Sequence, residues 1–221
     1  MKPPDRNPFG WQRLYEGGEI PILLIRHGQT EWNKERRFLG RSDIPLNAEG
    51  KIQAIKLAAA LEAIPLTAIY SSPLSRAWET AAELAANRTC TPIPVEGITD
   101  LDQGELEGQF GVDLPSKYPA FHDAWKADPT DVRIPGGETL AECAERSVSA
   151  IHELLKNHTP GKPVAVVSHR MAIGGIICAA LDLPVRYNMV IGQRNTAINL
   201  LSYRDHKLTL HRLNDADHLD E

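Results

Sequence analysis

Cysteine is scarce in this 221-residue chain. Cys90, Cys143 and Cys178 are odd in number and far apart, and no Cys-x-x-Cys occurs. A disulfide framework and a cysteine zinc site are both excluded, and three free thiols in a reducing compartment are expected. The first residues, Met1-Lys2-Pro3-Pro4-Asp5-Arg6, lack the apolar core of a secretion signal. No uninterrupted apolar run reaches the length of a membrane span, which leaves the cytoplasm as the expected location. Basic residues are not in excess: the formal net charge is -5, so neither nucleic acid nor an anionic membrane would be bound in bulk. His122, His152, His158, His206, His211 and His218 show no metal-ligand spacing, and neither a metal nor another cofactor is expected.

What is present suits one large soluble domain. Hydrophobic residues make up 42% and charged residues 24%. Those proportions, at this length, allow a sizeable core. Residues 1–19, rich in Pro, Gly and charge, read as an N-terminal extension, and residues 20–221 as a single domain without repeats. The run Ile20 to Arg26 is apolar throughout, as in a strand buried on both faces of a parallel sheet. Further strands are predicted at Thr67–Tyr70, Ile93–Val95 and Pro163–Ser168. The third is weak and flanked by proline, so it belongs near an edge. Helices are predicted at Asn47–Ala63, with Asn47 as N-cap, and at Pro73–Ala86, with Pro73 in its first turn. Others are predicted at Ser116–Lys126, Thr139–Lys156 and Met171–Leu181. The last is apolar but too short to span a membrane. Two strands around an Asp205-His206 turn complete the chain. Alternating strands and helices predict a three-layer α/β/α sandwich with a mainly parallel central sheet. Residues 97–137 are irregular and read as a cap over it.

The chemistry-bearing residues fall at strand ends. Arg26-His27 follows the first strand and Ser71-Ser72-Pro73 the second, with Arg76 one turn on. Asp100 and Asp102 follow the third, and Ser168-His169 ends the fourth. Ligands of open α/β sheets bind beyond the carboxyl ends of the strands. Two His, two Arg and two Asp are therefore expected in one crevice. Guanidiniums grip phosphate oxygens in pairs, a neutral imidazole can attack phosphorus, and a carboxylic acid can protonate a leaving oxygen. That set suits phosphoryl transfer without a metal ion. Pro135-Gly136-Gly137 is a plain turn rather than a phosphate loop, because no Lys-Ser or Lys-Thr follows it.

Arg26-His27-Gly28-Gln29-Thr30-Glu31-Trp32-Asn33 resembles the signature of the histidine phosphatase superfamily, phosphoglycerate mutase-like branch. The resemblance runs through Arg37-Phe38-Leu39-Gly40, Asp43 to Gly50, Ser71 to Ala77, Pro135 to Glu138 and Val167-Ser168-His169, over roughly residues 20–203. It implies a phosphohistidine on His27, with Arg26, Arg76 and His169 as the phosphate pocket and Asn33 and the Gly40 backbone lining it. The family's general acid is usually a Glu four residues before Gly-x-x-x-Gly. Here Gly104 to Gly108 aligns Asp100 with it, and Asp102, Glu105 and Glu107 remain as alternatives. Arg170 stands where many members carry Gly. It would either grip a substrate carboxylate or point into solvent. Together with Asn195 to Asn199, Leu213 to Asp215 and His218-Leu219, it resembles a subgroup of bacterial phosphatase-like members.

The implied activity is hydrolysis of a phosphomonoester on a small metabolite. A phosphoglycerate mutase is the alternative, and a non-catalytic phosphate sensor lies further off. Between residues 109 and 137 only Lys117, Lys126 and Arg133 are basic, with no adjacent Arg pair to hold a doubly phosphorylated intermediate. The expected partner is a small phosphorylated metabolite, and a homodimer is compatible with the sequence.

Overall fold

The structure is a computed structural model that describes residues 18–220. The predicted extension at residues 1–19 thus lies outside the described residues, save for its last two. Six strands form one sheet in the order β3-β2-β4-β1-β5-β6. They are β1 (Ile20–Arg26), β2 (Ala68–Ser71), β3 (Pro92–Pro94), β4 (Val164–Ser168), β5 (Ile198–Arg204) and β6 (Lys207–Asp215). The first four run parallel to one another, while β5 and β6 are antiparallel additions at one side. The result is a mixed, mostly parallel sheet flanked by helices.

The apolar run of β1 is buried on both faces, as its composition requires. Ile22 and Leu24 face one layer, with Val164 and Val166 of β4. There they meet Ile151 and Leu155 of α6 (Leu140–Leu155) and Ile173 and Ile176 of α7 (Arg170–Ala180). Leu23 and Ile25 face the other layer, with Ala165 and Val167. That side is covered by Leu57 of α2 (Ala48–Ala60) and by Ala77, Ala81 and Leu84 of α3 (Ser75–Ala85). The register sets Arg26 opposite Ser168 and Ser71 opposite Val167, so three strands end at one level.

Asn47 caps α2, its side chain accepting from Gly50 N at 2.8 Å. Strand β3 is short, begins and ends with proline, and lies at an edge as expected. Two helix predictions need correction. Pro73 precedes α3 instead of opening it. The N-cap is Leu74, whose N–H donates to Ser72 Oγ at 3.3 Å, and Asp43 receives the Ser75 N–H at 2.6 Å. A carboxylate at that helix start takes an orphan donor and meets the positive end of the dipole. The helix predicted over Ser116–Lys126 is two pieces, α4 (Leu114–Lys117) and α5 (Pro119–Ala127). Pro119 pushes Tyr118 out of helical geometry, to φ -134 and ψ 59. A five-residue helix α1 (Glu31–Glu35), capped by Thr30, was not anticipated.

Residues 97–137 hold α4, α5, two short 3-10 turns and most of a third, Glu96–Ile98. Leu101, Leu106 and Ile134 form a third apolar cluster with Leu140, Cys143 and Ala172, joining this segment to the starts of α6 and α7. Thr139 opens α6 through a capping box: its hydroxyl accepts from Glu142 N at 3.1 Å, and Glu142 accepts from Thr139 N at 2.9 Å. Thr139→Ala should cost about 1 kcal/mol of stability. A urea midpoint matching the wild type would show that the box adds nothing. Cys90, Cys143 and Cys178 are free thiols, and among the described residues no helix is long and apolar enough to cross a membrane.

Candidate active site

His27 leaves the end of β1 almost fully buried, at 2% exposure. Its backbone N–H donates to Ser168 O at 3.0 Å, which ties it to the neighbouring strand. Its Nδ1 lies 2.7 Å from Gly28 O, so Nδ1 carries the proton and Nε2 keeps its lone pair. Gly28 is held in turn by Thr80, whose Oγ1 accepts its N–H at 3.0 Å and donates to Arg76 O at 2.7 Å. No side chain fits at Gly28, because a Cβ there would sit 2.7 Å from Gly50 O. Asn195 Nδ2 donates to His27 O at 3.1 Å and to Asn33 Oδ1 at 3.3 Å. Asn33 Oδ1 also accepts from Thr30 N, so this side chain caps α1 as well as facing Asn195.

Two guanidiniums, Arg76 and Arg26, lie close to both imidazoles, and a third, Arg170, is near Arg26 and Asp100. Arg76 is fully buried. It donates to Ser42 O at 2.8 Å, Gly40 O at 2.7 Å and Asp100 Oδ2 at 3.3 Å. The Gly40 backbone thus reaches the site by orienting Arg76. Its φ of 57° and a Cβ position 2.7 Å from Gln103 Cβ both demand glycine. Arg26 Nη1 donates to Gln193 O at 2.5 Å. Burial pushes the Arg26 pKa down to about 10, which still leaves it charged at neutral pH. The Nε atoms of Arg26 and Arg76 are both buried without a partner. Arg170, the first residue of α7, is half-buried. It donates to Met189 O at 3.1 Å and contacts Met171 Sδ at 3.2 Å. Burial lowers its pKa and the nearby Asp100 raises it. Arg170 is thus partly buried and held by a backbone carbonyl.

His169 follows β4 directly and caps α7, with its ring centroid 5.1 Å from that of His27. Its Nε2 lies 2.8 Å from Ser72 Oγ, and its Nδ1 is 3.7 Å from Asp100 Oδ2. Asp100 Oδ1 accepts from Leu101 N at 3.0 Å. Burial raises the Asp100 pKa against the opposing pull of Arg76 and Arg26. Its loop is gripped by Arg146, which donates to Gly97 O, Thr99 O and Asp100 O at 2.7–3.0 Å and to both oxygens of Glu138. The other acids lie elsewhere. Asp102 accepts from Gly104 N and faces Arg41, Glu107 holds Arg41 N and Ser42 Oγ, and Glu105 is exposed. Of these four carboxyls, only Asp100 meets both Arg76 and His169.

His27, His169, Arg26, Arg76 and Asp100 therefore converge, with Arg170 beside them. Sequence reasoning assigns no role to Ser72, Thr80, Gln193, Asn195 or Arg146. The one local signal is Thr80, four residues after Arg76 and so on the same helix face. The others contact the site across 46 to 168 residues of chain.

Burial, with Arg76 and Arg26 nearby, holds the His27 imidazole well below its ordinary 6.5. Burial and the same two arginines do so for His169, with His27 and Arg146 adding to it. Both rings are neutral in the native state, whereas in the unfolded chain both protonate near their ordinary value. The unfolded state then binds more protons, and stability falls as the pH drops through about 6.5 and below. The urea midpoint should decrease from about pH 8 to about pH 5.5, and His27→Asn should reduce that decrease. The same dependence in that variant would show that His27 titrates alike in both states.

The fold has close counterparts. A phosphoserine phosphatase mutant from Entamoeba histolytica, solved in complex with phosphoserine, superposes with a TM-score of 0.79 at 26% identity, covering 90% of this chain and 99% of that one. The chain is 32% identical over 202 residues to phosphoserine phosphatase 1 of Hydrogenobacter thermophilus, 91% of this chain and 95% of that protein. It is 34% identical over 185 residues to the probable phosphoglycerate mutase GpmB of Cronobacter sakazakii, 84% of this chain and 86% of that protein. An α/β protein of this architecture, with two strand-end imidazoles among guanidiniums, has the form of a histidine phosphatase. Residues 22–216 match the histidine phosphatase superfamily (branch 1), and the chain belongs to that family.

Proposed function

We propose that this protein hydrolyses a phosphomonoester of a small metabolite through a phosphohistidine on His27, without a metal ion. The observation that carries the reading is the His27 ring itself. Nδ1 is committed to Gly28 O, so the Nε2 lone pair is the nucleophile, in a pocket of charged guanidiniums. Nε2 attacks phosphorus and the ester P–O bond breaks. The leaving oxygen takes the proton of Asp100. Water then gives a proton to the Asp100 carboxylate and attacks phosphorus, the P–N bond breaks, and phosphate leaves. His27 and Asp100 return to their starting states. Arg26, Arg76 and His169 hold the phosphoryl oxygens, and their fixed dipoles and charges supply the stabilisation that a metal ion would otherwise provide. Asn33 and Gly40 act through their neighbours, and Arg170 receives a second anionic group of the substrate, such as a carboxylate. Residues 97–137 cover the cleft.

The runner-up is a phosphoglycerate mutase, which must retain a doubly phosphorylated intermediate. The basic residues of the covering segment do not favour it. Lys117 is paired with Asp113, Arg133 with Glu142, and Lys126 is exposed. Hydrolysis of p-nitrophenyl phosphate separates an enzyme from a non-catalytic sensor. A panel of phosphorylated metabolites that includes phosphoserine and 3-phosphoglycerate separates hydrolase from mutase. Activity should survive EDTA, and vanadate should inhibit by imitating five-coordinate phosphorus. Activity lost in EDTA and restored by magnesium or zinc would overturn the metal-free mechanism.

A further inference from the structure

His169 is neutral, so its ring has one N–H to place on one of two nitrogens. Its Nδ1 is buried without a hydrogen-bond partner, 3.7 Å from Asp100 Oδ2, the oxygen that also contacts Arg76. Its Nε2 is 2.8 Å from Ser72 Oγ, and Ser72 and His169 are both fully buried. Ser72 Oγ already accepts the Leu74 N–H at 3.3 Å, and a hydroxyl has a single proton to give. His169 Nε2 is the acceptor in reach of that proton. If Nε2 carried the ring proton instead, Ser72 Oγ would accept it on its second lone pair, the Ser72 proton would have to turn away from its nearest acceptor, and a bare Nδ1 lone pair would be turned toward an incoming phosphate. A phosphate dianion offers only acceptors, so the atom it meets has to be a donor.

We propose that Ser72 sets the tautomer of His169: its hydroxyl donates to Nε2, which places the ring proton on Nδ1 and aims that N–H at the phosphoryl oxygens. Ser72 is a positioning residue that never touches substrate. The proposal rests on the phosphate-pocket reading above, but it can be tested in the resting protein without turnover. Nitrogen-15 NMR of the imidazoles, assigned with His169→Asn, should show a protonated Nδ1 and an acceptor Nε2 in the wild type. Ser72→Ala should move His169 toward the Nε2–H form and weaken vanadate binding about tenfold, the ratio that one charge-assisted hydrogen bond sets. Ser72→Thr, which keeps the hydroxyl, should restore both readouts. An Nε2–H tautomer in the wild type would overturn the proposal, whether or not the Thr variant folds. So would an Ala variant with unchanged tautomer and vanadate affinity. Failure of the pocket reading itself would look different: the wild type would not bind vanadate at all, whatever its tautomer.

Discussion

Replacing His27 with alanine should abolish phosphoryl transfer, by a factor on the order of 10⁶, while the protein stays folded. The size of the loss follows from the covalent role. Arg26, Arg76 and His169 would still bind phosphate in the variant, but nothing would attack it. The lost side chain makes one hydrogen bond, to the carbonyl of its own neighbour, and the backbone bond to Ser168 survives. The sheet should therefore persist, as far-UV circular dichroism can check. Acid quenching of the wild type with labelled substrate should trap an acid-labile, base-stable phosphoryl group, which the variant should not form. Normal turnover in the variant would sink the whole mechanism.

Asp100→Asn should separate substrates by their leaving groups. An aliphatic alkoxide leaves poorly without a proton, so the variant should slow an alkyl phosphate by roughly 10²–10⁴-fold. A nitrophenolate is stable unprotonated, so the initial burst from p-nitrophenyl phosphate should suffer much less. The burst is the right quantity, because in the proposed cycle the attack of water on the phosphohistidine uses the carboxylate again as a base. The substitution is nearly isosteric, and an amide oxygen can still accept from Leu101 N. Equal slowing of the burst for both substrates would move the acid role to Asp102 or Glu105. Neither contacts Arg76, and that outcome would require the segment at residues 97–137 to rearrange.

The legible parts of this structure are those with local causes. Ile20–Arg26 and Val164–Ser168 are apolar runs, and both are doubly covered strands. Asn47 is an N-cap by its residue type and place. His27 and His169 directly follow two strands, and Arg76 and Asp100 lie a few residues beyond two others, so the parallel strands deliver all four to one side. What escaped the sequence had either too little length or too much separation. Helix α1 has five residues and no periodicity to read. The Tyr118 break depends on one proline inside a helix-like composition. Asn195 reaches His27 across 168 residues, and nothing in its own neighbourhood announces the contact. Arg146 looks like any exposed helix arginine until the loop at residues 97–100 is laid against it.

The strand order has a consequence for synthesis. β1 and β2 come early in the chain but are not neighbours in the sheet, since β4 lies between them. While a ribosome has yet to deliver Val164–Ser168, each of these two strands lacks its shared partner, and the Ile22-to-Ile25 run has no parallel strand to pair with. At roughly 5–20 residues per second, the stretch between β2 and β4 takes on the order of 5–20 s to emerge. For that interval the newborn chain carries a bare apolar strand, the kind of segment that chaperones hold and that aggregates recruit. The two imidazoles share this delay, because the second sits immediately after the strand that closes the gap.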